Sequence, residues 1–225
     1  MSDTPLRLAL FDCDGTLVDS AFTIQHVMTT VFQQFSYKEP SLDETERVIG
    51  LSLEVAIAEL LKRPVDDEIL EMATAYKQNF TKFRGDISFT EPLFPGIMET
   101  LTTLEQNDDI LLGLVTGKTR LAVDKICEAY KLHCFITIKT ADDCPSKPNP
   151  AMVLESCKQT GVSPDNTFVI GDSIYDMQMA KLAHANAIGV SWGYHTPEAL
   201  KEAGAGTIVR EPEELIPILE RKSNA

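Results

Sequence analysis

Residues 6–20 read LRLALFDCDGTLVDS, and this stretch decides the fold of the chain. It opens with a short, mostly apolar run and passes at once into an acidic segment that contains glycine. A short apolar run that ends in turn residues is typical of a buried strand in a parallel sheet. The loop after such a strand is where α/β proteins place functional side chains. We therefore predict a first strand that ends just before Asp12 and Asp14.

The segment that follows is helical in character. Residues 20–84 show helical spacing and no strand-like run, and Ser41 with Glu44 predicts a capping box at one helix start. A longer helix is expected from about residue 66 to 83, ending near Gly85. We assign residues 18–89 to an α-helical cap domain inserted after the first strand.

Strand-like runs then return and alternate with helices. The runs are 110–116, 134–140, 167–172, 186–192 and 206–211. Helix starts are expected at Lys118, Pro150 and Ile174, and at Pro197 with Thr196 as its cap. This alternation predicts an α/β fold with one doubly wound parallel sheet. We assign residues 1–17 and 90–225 to this core domain.

Composition limits the classes of partner. Acidic residues number 34 and basic residues 20, and the net charge of -14 argues against a nucleic acid or an anionic membrane as partner. No apolar run approaches the ~20 residues that span a bilayer, and the N-terminal segment lacks the features of a signal peptide. The five cysteines include no CxxC pair, which predicts reduced thiols in a cytoplasmic protein, with neither disulfides nor a zinc site.

Polar side chains stand at the ends of four predicted strands. They are Asp12 and Asp14 after the first, Thr116 at the end of the second, Lys147 in the loop after the third, and Asp172 with Asp176 after the fourth. Strands of one parallel sheet point the same way, so these groups are expected to converge on one edge. The sequence therefore predicts a single site at that edge.

These residue types suit phosphoryl transfer. A carboxylate can attack phosphorus and form an acyl phosphate, and a second carboxylate two residues on can protonate the leaving group and then activate water. A divalent cation is needed between two anions, and several carboxylates suit a hard ion such as Mg²⁺. A hydroxyl and an ammonium can hold the remaining phosphoryl oxygens.

Four segments, in this order and spacing, resemble the motifs of the haloacid dehalogenase superfamily of phosphatases. They are FDCDGTLVDS (11–20), LLGLVTGK (111–118), SKPNP (146–150) and GDSIYD (171–176). The resemblance covers essentially the whole chain and implies a Rossmann-like doubly wound core, a small helical cap, and no organic cofactor. It also implies that Mg²⁺ is bound by Asp12, by Asp14 through its backbone carbonyl, by Asp172 and by Asp176, directly or in support.

The same resemblance assigns catalytic roles by position. It implies that Asp12 is the nucleophile and Asp14 the general acid and base. Thr116, Gly117 and Lys147 would bind the phosphoryl group of a small phosphorylated metabolite, and Lys147 would also pair with Asp12. A monomer and a homodimer are both compatible with these assignments.

The choice of substrate rests on sequence matches that are less specific than the four motifs. The cap segment RVIGLSLEVAIAELL (47–61) and the tail from Trp192 resemble phosphoglycolate phosphatases, which favours 2-phosphoglycolate. Another small phosphate ester or pyrophosphate stays open as the substrate. A phosphosugar mutase, an isomerase like beta-phosphoglucomutase, is the main alternative. Similar mutases have an arginine where this chain has Leu53 and a histidine where it has Ile24, and both departures count against that alternative.

Two further classes rank lower. A non-catalytic receiver module would share strand-end acids, a threonine and a lysine, but it has no inserted helical lobe. A dehalogenase is disfavoured because Asp14 supplies the acid and base that phosphate chemistry requires.

Cys13 is expected to point away from the flanking carboxylates because alternate strand residues face opposite ways. Tyr194 and His195 could approach the substrate, although packing roles are the default.

Overall fold

Within residues 5–87 and 91–221, which the computed structural model describes, the chain forms six strands and ten α-helices. The strands are β1 (Arg7–Phe11), β2 (Ile110–Val115), β3 (Phe135–Lys139), β4 (Thr167–Gly171), β5 (Asn186–Val190) and β6 (Thr207–Val209). The helices are α1 (Ala21–Gln34), α2 (Leu42–Glu46), α3 (Leu53–Leu61), α4 (Asp67–Ile87), α5 (Ile97–Glu105), α6 (Arg120–Tyr130), α7 (Ala151–Thr160), α8 (Ile174–Leu182), α9 (Pro197–Ala203) and α10 (Leu215–Glu220). None of the helices in these ranges combines the length and hydropathy that crossing a bilayer requires.

The strands form one parallel sheet in the order β3-β2-β1-β4-β5-β6. Successive side chains of a strand face opposite sides, so Ala9 and Phe11 of the central strand enter one apolar cluster and Leu8 and Leu10 enter another. Helices α5, α6 and α10 contribute to the first cluster, and α7, α8 and α9 contribute to the second. The prediction of a doubly wound α/β fold is confirmed.

Helices α1, α3 and α4 pack around an apolar cluster of their own, and α2 packs against α1. The cluster includes Val31 and Phe32 of α1, Ile57 of α3, and Ile69 and Met72 of α4. These helices fall within the segment assigned to the cap, and they lie between β1 and α5 in the chain. The second boundary of that assignment, at 89/90, lies outside the described residues.

Local signals predicted several helix ends correctly. The Ser41 side chain accepts the N–H of Glu44 while the Glu44 carboxylate accepts the N–H of Ser41, which confirms the capping box. Thr196 caps α9 with Pro197 at its first position. Helix α4, however, continues past Gly85, because a glycine weakens a helix without removing a backbone hydrogen bond.

Two element ends differ from the expectation for reasons the structure shows. Helix α6 begins at Arg120 because Thr119 is its N-cap, and Lys118 therefore stays in the preceding loop. Strand β6 ends at Val209, since the next N–H, from Arg210, donates to the side chain of Glu214 at 3.0 Å instead of continuing the sheet.

Candidate active site

The carboxyl edge of the sheet collects the predicted site residues. Asp12 and Asp14 follow β1, Thr116 follows β2 and Asp172 follows β4, so three adjacent strands supply them. Lys147 reaches the same edge from the loop after β3. All five are buried. The convergence expected from parallel strands therefore takes place around the central strand.

Lys147 is the cation at the centre of this group. Its Nζ lies 2.7 Å from Oδ1 of Asp12 and 2.6 Å from Oδ1 of Asp176. Burial alone would lower the pKa of Lys147, but the two carboxylates outweigh burial and raise it. Lys147 is therefore a fixed positive charge at the carboxyl end of β1.

The two oxygens of Asp12 differ in their surroundings. Oδ1 accepts the N–H of Cys13 at 2.7 Å as well as the bond from Lys147. Oδ2 is buried and has no hydrogen-bond partner within the described part of the chain. Burial raises the pKa of Asp12 well above its usual value, the charge of Asp176 adds to the rise, and Lys147 opposes it. Asp12 thus presents one anchored oxygen and one unoccupied oxygen.

Asp172 and Asp176 complete an acidic cluster. Asp172 accepts hydrogen bonds from the Thr16 hydroxyl and from the Tyr194 N–H, each at 2.9 Å. Burial is the main reason that the pKa of Asp172 rises to about 7. Asp176 forms a capping box with Ser173 at the start of α8, while its other oxygen bonds Lys147. The Asp176 side chain therefore caps α8 and also belongs to the site.

This cluster fits a divalent cation. One oxygen from each of Asp12, Asp172 and Asp176 lies within 4.8 Å of the other two. Three buried carboxylates surround a single cation, Lys147, which pairs with Asp12 and Asp176 and whose charge also acts on Asp172. An all-oxygen, net negative donor set suits a hard ion. The carboxylate of Asp14 is not part of this group, so the predicted contact through its backbone carbonyl stays a prediction.

The loop after β1 can approach Asp172 closely because it contains Gly15. This residue has φ +78°, and a Cβ built on it would lie 2.2 Å from Oδ2 of Asp172. Any side chain at this position would collide with the acidic cluster and would also strain the backbone. The glycine of the DxDGT segment is therefore required by the geometry of the carboxylates.

Asp14 is held apart from the acidic cluster by a second lysine. Lys118 places its Nζ 2.8 Å from Oδ1 of Asp14 and 3.9 Å from Oε1 of Glu91, and the Ser20 hydroxyl donates to the same Asp14 oxygen. Burial would lower the pKa of Lys118, but Asp14 and Glu91 outweigh burial and raise it. Neither Lys118 nor Glu91 was predicted to be a site residue, although Lys118 lies inside the LLGLVTGK segment.

Thr116 and Gly117 form the turn between β2 and Lys118. The Thr116 hydroxyl accepts the N–H of Lys118 at 3.2 Å. A Cβ at Gly117 would lie 2.3 Å from the carbonyl oxygen of Leu51, so this turn and the cap loop approach each other as closely as backbones can. The phosphate contacts expected of Thr116 and Gly117 stay a prediction.

Tyr194 connects the acidic cluster to the cap. Its hydroxyl accepts the N–H groups of Ser20 at 2.8 Å and Ala21 at 3.0 Å and donates to Asp19 at 3.2 Å, while its own N–H donates to Asp172. The hydroxyl thus receives backbone donors at the start of α1. This positioning role was missed, because it depends on a contact 174 residues apart in sequence.

Cys13 and His195, which lie close to site residues in the sequence, both pack against other parts of the protein. Cys13 packs in the apolar cluster with Phe11 and Leu17, and burial raises the pKa of its thiol, with the charge of Asp14 adding to the rise. His195 accepts the N–H of Ile174 through Nδ1 at 3.3 Å, and burial lowers its pKa. The burial of Cys13 in an apolar cluster agrees with a packing role, and the prediction that its side chain faces away from both carboxylates stays a prediction.

A cavity of about 360 Å³ lies between the cap helices and the core loops, and Asp14 and Lys118 are in its wall. The cap and core touch beside it: the Ser52 N–H donates to the Ser146 hydroxyl at 2.8 Å, and the Tyr175 hydroxyl donates to the Arg47 carbonyl at 3.1 Å. A ligand in this cavity would contact Asp14 on one side and the cap on the other.

Comparison with known proteins agrees with this site. Residues 9–190 match the family model for haloacid dehalogenase-like hydrolases. "Probable phosphatase IndB" of Dickeya dadantii is 33% identical over 206 residues, covering 90% of this chain and 88% of the relative. The phosphoglycolate phosphatase of Shigella dysenteriae is 30% identical, covering 95% of this chain and 92% of the relative. The structure of a predicted phosphatase from Clostridium acetobutylicum superposes with a TM-score of 0.83 at 27% identity, covering 97% of this chain and 100% of that one.

The protein is thus a doubly wound α/β protein with a buried carboxylate cluster at the carboxyl edge of its parallel sheet. The chain belongs to the haloacid dehalogenase-like hydrolases. Membership of this family, together with relatives that carry phosphatase names, confirms the predicted enzyme class, a phosphoric monoester hydrolase.

Proposed function

We propose that this protein hydrolyses small phosphate monoesters through a phosphoryl group carried on Asp12. The observation that carries the proposal is the asymmetric environment of that carboxylate. Lys147 holds Oδ1 at 2.7 Å, while Oδ2 is buried without a hydrogen-bond partner in the described residues. An oxygen that no hydrogen bond occupies can approach phosphorus without first breaking one, and a carboxylate is an established type of phosphoryl acceptor.

The neighbouring groups supply the remaining roles. The Lys147 ammonium, the Thr116 hydroxyl and the Gly117 backbone would bind the phosphoryl oxygens, because fixed donors around a transferring phosphoryl group stabilise its charge. Asp14 stands in the wall of the cavity that would hold the alcohol half of the ester. Proton transfer to the departing oxygen is therefore assigned to Asp14.

The reaction takes two displacements. In the first, a bond forms between an Asp12 oxygen and phosphorus while the bond from phosphorus to the alcohol oxygen breaks, and Asp14 gives its proton to that oxygen. In the second, water attacks phosphorus and passes one proton to Asp14, and the Asp12–phosphorus bond breaks. The products are the alcohol and inorganic phosphate, and both aspartates return to their starting protonation states.

Asp12, Asp172 and Asp176 are the residues that would hold Mg²⁺, with the Asp14 backbone carbonyl as a further ligand. Their spacing and their net negative charge support this choice. Bound Mg²⁺ would offset the repulsion between the acidic cluster and an anionic ester.

The cap supports hydrolysis over isomerisation. Leu53 and Ile24, which occupy the positions of an arginine and a histidine in similar mutases, both line the cavity. Neither side chain can bind or reorient a phosphorylated sugar by hydrogen bonds. A net charge of -14 also disfavours polyanionic polymers and favours small soluble esters. All five cysteines are free thiols, which supports our placement of the enzyme in the cytoplasm.

Relatives named phosphoglycolate phosphatase make 2-phosphoglycolate a candidate substrate. The test of the function itself does not depend on that choice. Wild-type protein and Asp12→Asn are assayed for phosphate release from a panel of phosphate monoesters with Mg²⁺. Acid-quenched wild-type protein is digested, and its peptides are examined for an added phosphoryl group. We expect release that requires Asp12 and a phosphorylated peptide that contains it. Equal release by both proteins would contradict the proposal.

A further inference from the structure

The cavity beside Asp14 is large enough to hold a group bigger than a two-carbon acid. Its volume of about 360 Å³ falls in the range of about 300–1,000 Å³ found for small-molecule sites. Because Asp14 is in its wall, the space lies where the alcohol half of a phosphate ester would stand. The side chains around it therefore bear on the identity of that alcohol.

Most of the side chains around this space are apolar. The cap contributes an aromatic pair, Tyr76 and Phe80, whose ring centroids lie 5.9 Å apart with an angle of 21° between the planes. Aromatic faces and edges of this kind bind other rings favourably. Other apolar side chains of the lining belong to Ile24, Met28, Leu53, Ala56 and Leu121.

The lysines of the lining offer little to a carboxylate. Lys118 lies between Asp14 and Glu91, and Lys77 pairs with Glu54 at 3.0 Å. The third, Lys125, is exposed to solvent. A carboxylate placed deep in the cavity would lose its water, and the ammonium that it meets there already lies beside Asp14 and Glu91. Such a charge is costly to bury without a cation of its own.

Leu121 is an apolar side chain at a position that is exposed to solvent. It is the second residue of α6, it lines the cavity, and 64% of its surface is exposed. An apolar ligand in the cavity would remove part of this surface from water, which is favourable in proportion to the area covered.

We propose that the alcohol half of the substrate is apolar and carries a ring that packs against Tyr76 and Phe80, with Leu121 at the entrance. The inference rests on the proposed phosphatase function and assigns its substrate class. A short carboxylate such as that of 2-phosphoglycolate finds no matching cation deep in this cavity, so phosphoglycolate becomes a poor substrate.

The test uses phosphate esters of primary alcohols, so that the departing oxygens are similar in basicity. The panel is ethyl phosphate, 2-phenylethyl phosphate, 2-carboxyethyl phosphate and 2-phosphoglycolate. We expect kcat/KM for 2-phenylethyl phosphate to exceed the value for each carboxylate ester at least tenfold. Asp12→Asn is assayed beside the wild type to show which release is enzymatic.

Variants of the lining connect the preference to this cavity. Phe80→Ala and Leu121→Ser should each lower the ratio of kcat/KM for 2-phenylethyl over ethyl phosphate at least threefold. Leu53→Lys should raise the ratio of 2-carboxyethyl over 2-phenylethyl phosphate at least tenfold. Leu182→Ser, at an exposed leucine that is not part of the lining, is the matched control and should change neither ratio.

The outcomes separate the two proposals. Release that requires Asp12 but favours either carboxylate ester, or that treats all four esters alike, would overturn the apolar substrate class and leave the phosphatase standing. A ring preference that survives both Phe80→Ala and Leu121→Ser would overturn its assignment to this cavity. Absence of Asp12-dependent release from every ester would overturn both.

Discussion

The Nζ atom of Lys118 lies 2.8 Å from Oδ1 of Asp14 and 3.9 Å from Oε1 of Glu91. The three side chains are 8%, 10% and 0% exposed for Lys118, Asp14 and Glu91. This buried cation holds Asp14 beside the cavity, whereas Lys147 holds Asp12 in the acidic cluster. The two aspartates, two residues apart in sequence, are therefore positioned by different lysines.

Removing this lysine should affect both stability and rate. Lys118→Met removes the cation that pairs with the buried carboxylate of Asp14, and we expect a loss of about 3 kcal/mol in the free energy of unfolding. We also expect kcat to fall at least tenfold, about 1.4 kcal/mol of barrier, because Asp14 loses the contact that orients it. Lys118→Arg keeps the charge and should retain more of both quantities. Urea unfolding and steady-state kinetics measure them.

A second substitution separates the two effects. Glu91→Gln added to Lys118→Met removes one of the two negative charges that face the position of the lost ammonium, so repulsion between like charges falls and part of the stability should be restored. It does not restore the contact to Asp14, so kcat should stay low. A kcat that recovers in parallel with the unfolding free energy would show that Lys118 is only a structural residue.

Asp12→Asn should remove most of the activity without lowering the stability. The amide keeps the shape but removes the attacking charge, so we expect kcat to fall at least ~10³-fold, about 4 kcal/mol of barrier. The melting temperature in chelator should be equal to or higher than that of the wild type, because three buried carboxylates surround Lys147 and one charge is removed. Calorimetry in excess EDTA tests this second result, and a large drop in melting temperature would contradict it.

Asp14→Asn should distinguish esters by their leaving groups. A poor alkoxide leaving group needs the Asp14 proton, whereas a nitrophenolate needs little protonation. We expect the first step with 4-nitrophenyl phosphate to be slowed much less than the first step with an alkyl phosphate. Rapid-quench burst kinetics on both esters measures that step. Equal slowing of the two esters would remove Asp14 from the role of general acid.

Metal dependence follows from the acidic cluster. We expect excess EDTA to abolish activity and Mg²⁺ to restore it, since Asp12, Asp172 and Asp176 present oxygens within 4.8 Å of one another. Ca²⁺ should inhibit, because its larger and looser coordination allows both oxygens of Asp12 to bind it and withdraws the attacking oxygen. Phosphate release is measured after dialysis and stepwise addition of each ion. Full activity in excess EDTA would exclude this role for the cluster.

The sequence predicted the parts of the site that depend on strand direction. Asp12 and Asp172 each follow an apolar strand, and strands in a parallel sheet end at the same edge, so their meeting could be expected without coordinates. The contact between Thr16 and Asp172 spans 156 residues of sequence and confirms that reasoning. The order of the four motifs along the chain also indicated that these strands belong to one core sheet.

Other features depend on where loops and helices approach each other. The Ser20 and Ala21 N–H groups donate to the Tyr194 hydroxyl, and these hydrogen bonds join two segments that no local pattern connects. Lys118 was interpreted as a helix start, and only the capping of α6 by Thr119 leaves it free to reach Asp14. The apolar character of the cavity likewise arises from the cap and core packing side by side, and a helical pattern gives the same residues whether they line a core or a cavity.

Gly117 offers a test of how closely the cap must approach the core. A methyl group there would lie 2.3 Å from the carbonyl oxygen of Leu51, which is backbone and cannot move aside as a flexible side chain can. We expect Gly117→Ala to push the cap loop away and to lower kcat/KM at least tenfold, because catalysis in a capped site requires the cap to close. The matched control is Gly206→Ala, whose added methyl group would meet the Ala187 carbonyl at an ordinary 3.6 Å. Circular dichroism should show the helix content of both variants unchanged. A kcat/KM for Gly117→Ala within twofold of the control would mean that this contact is not needed for turnover.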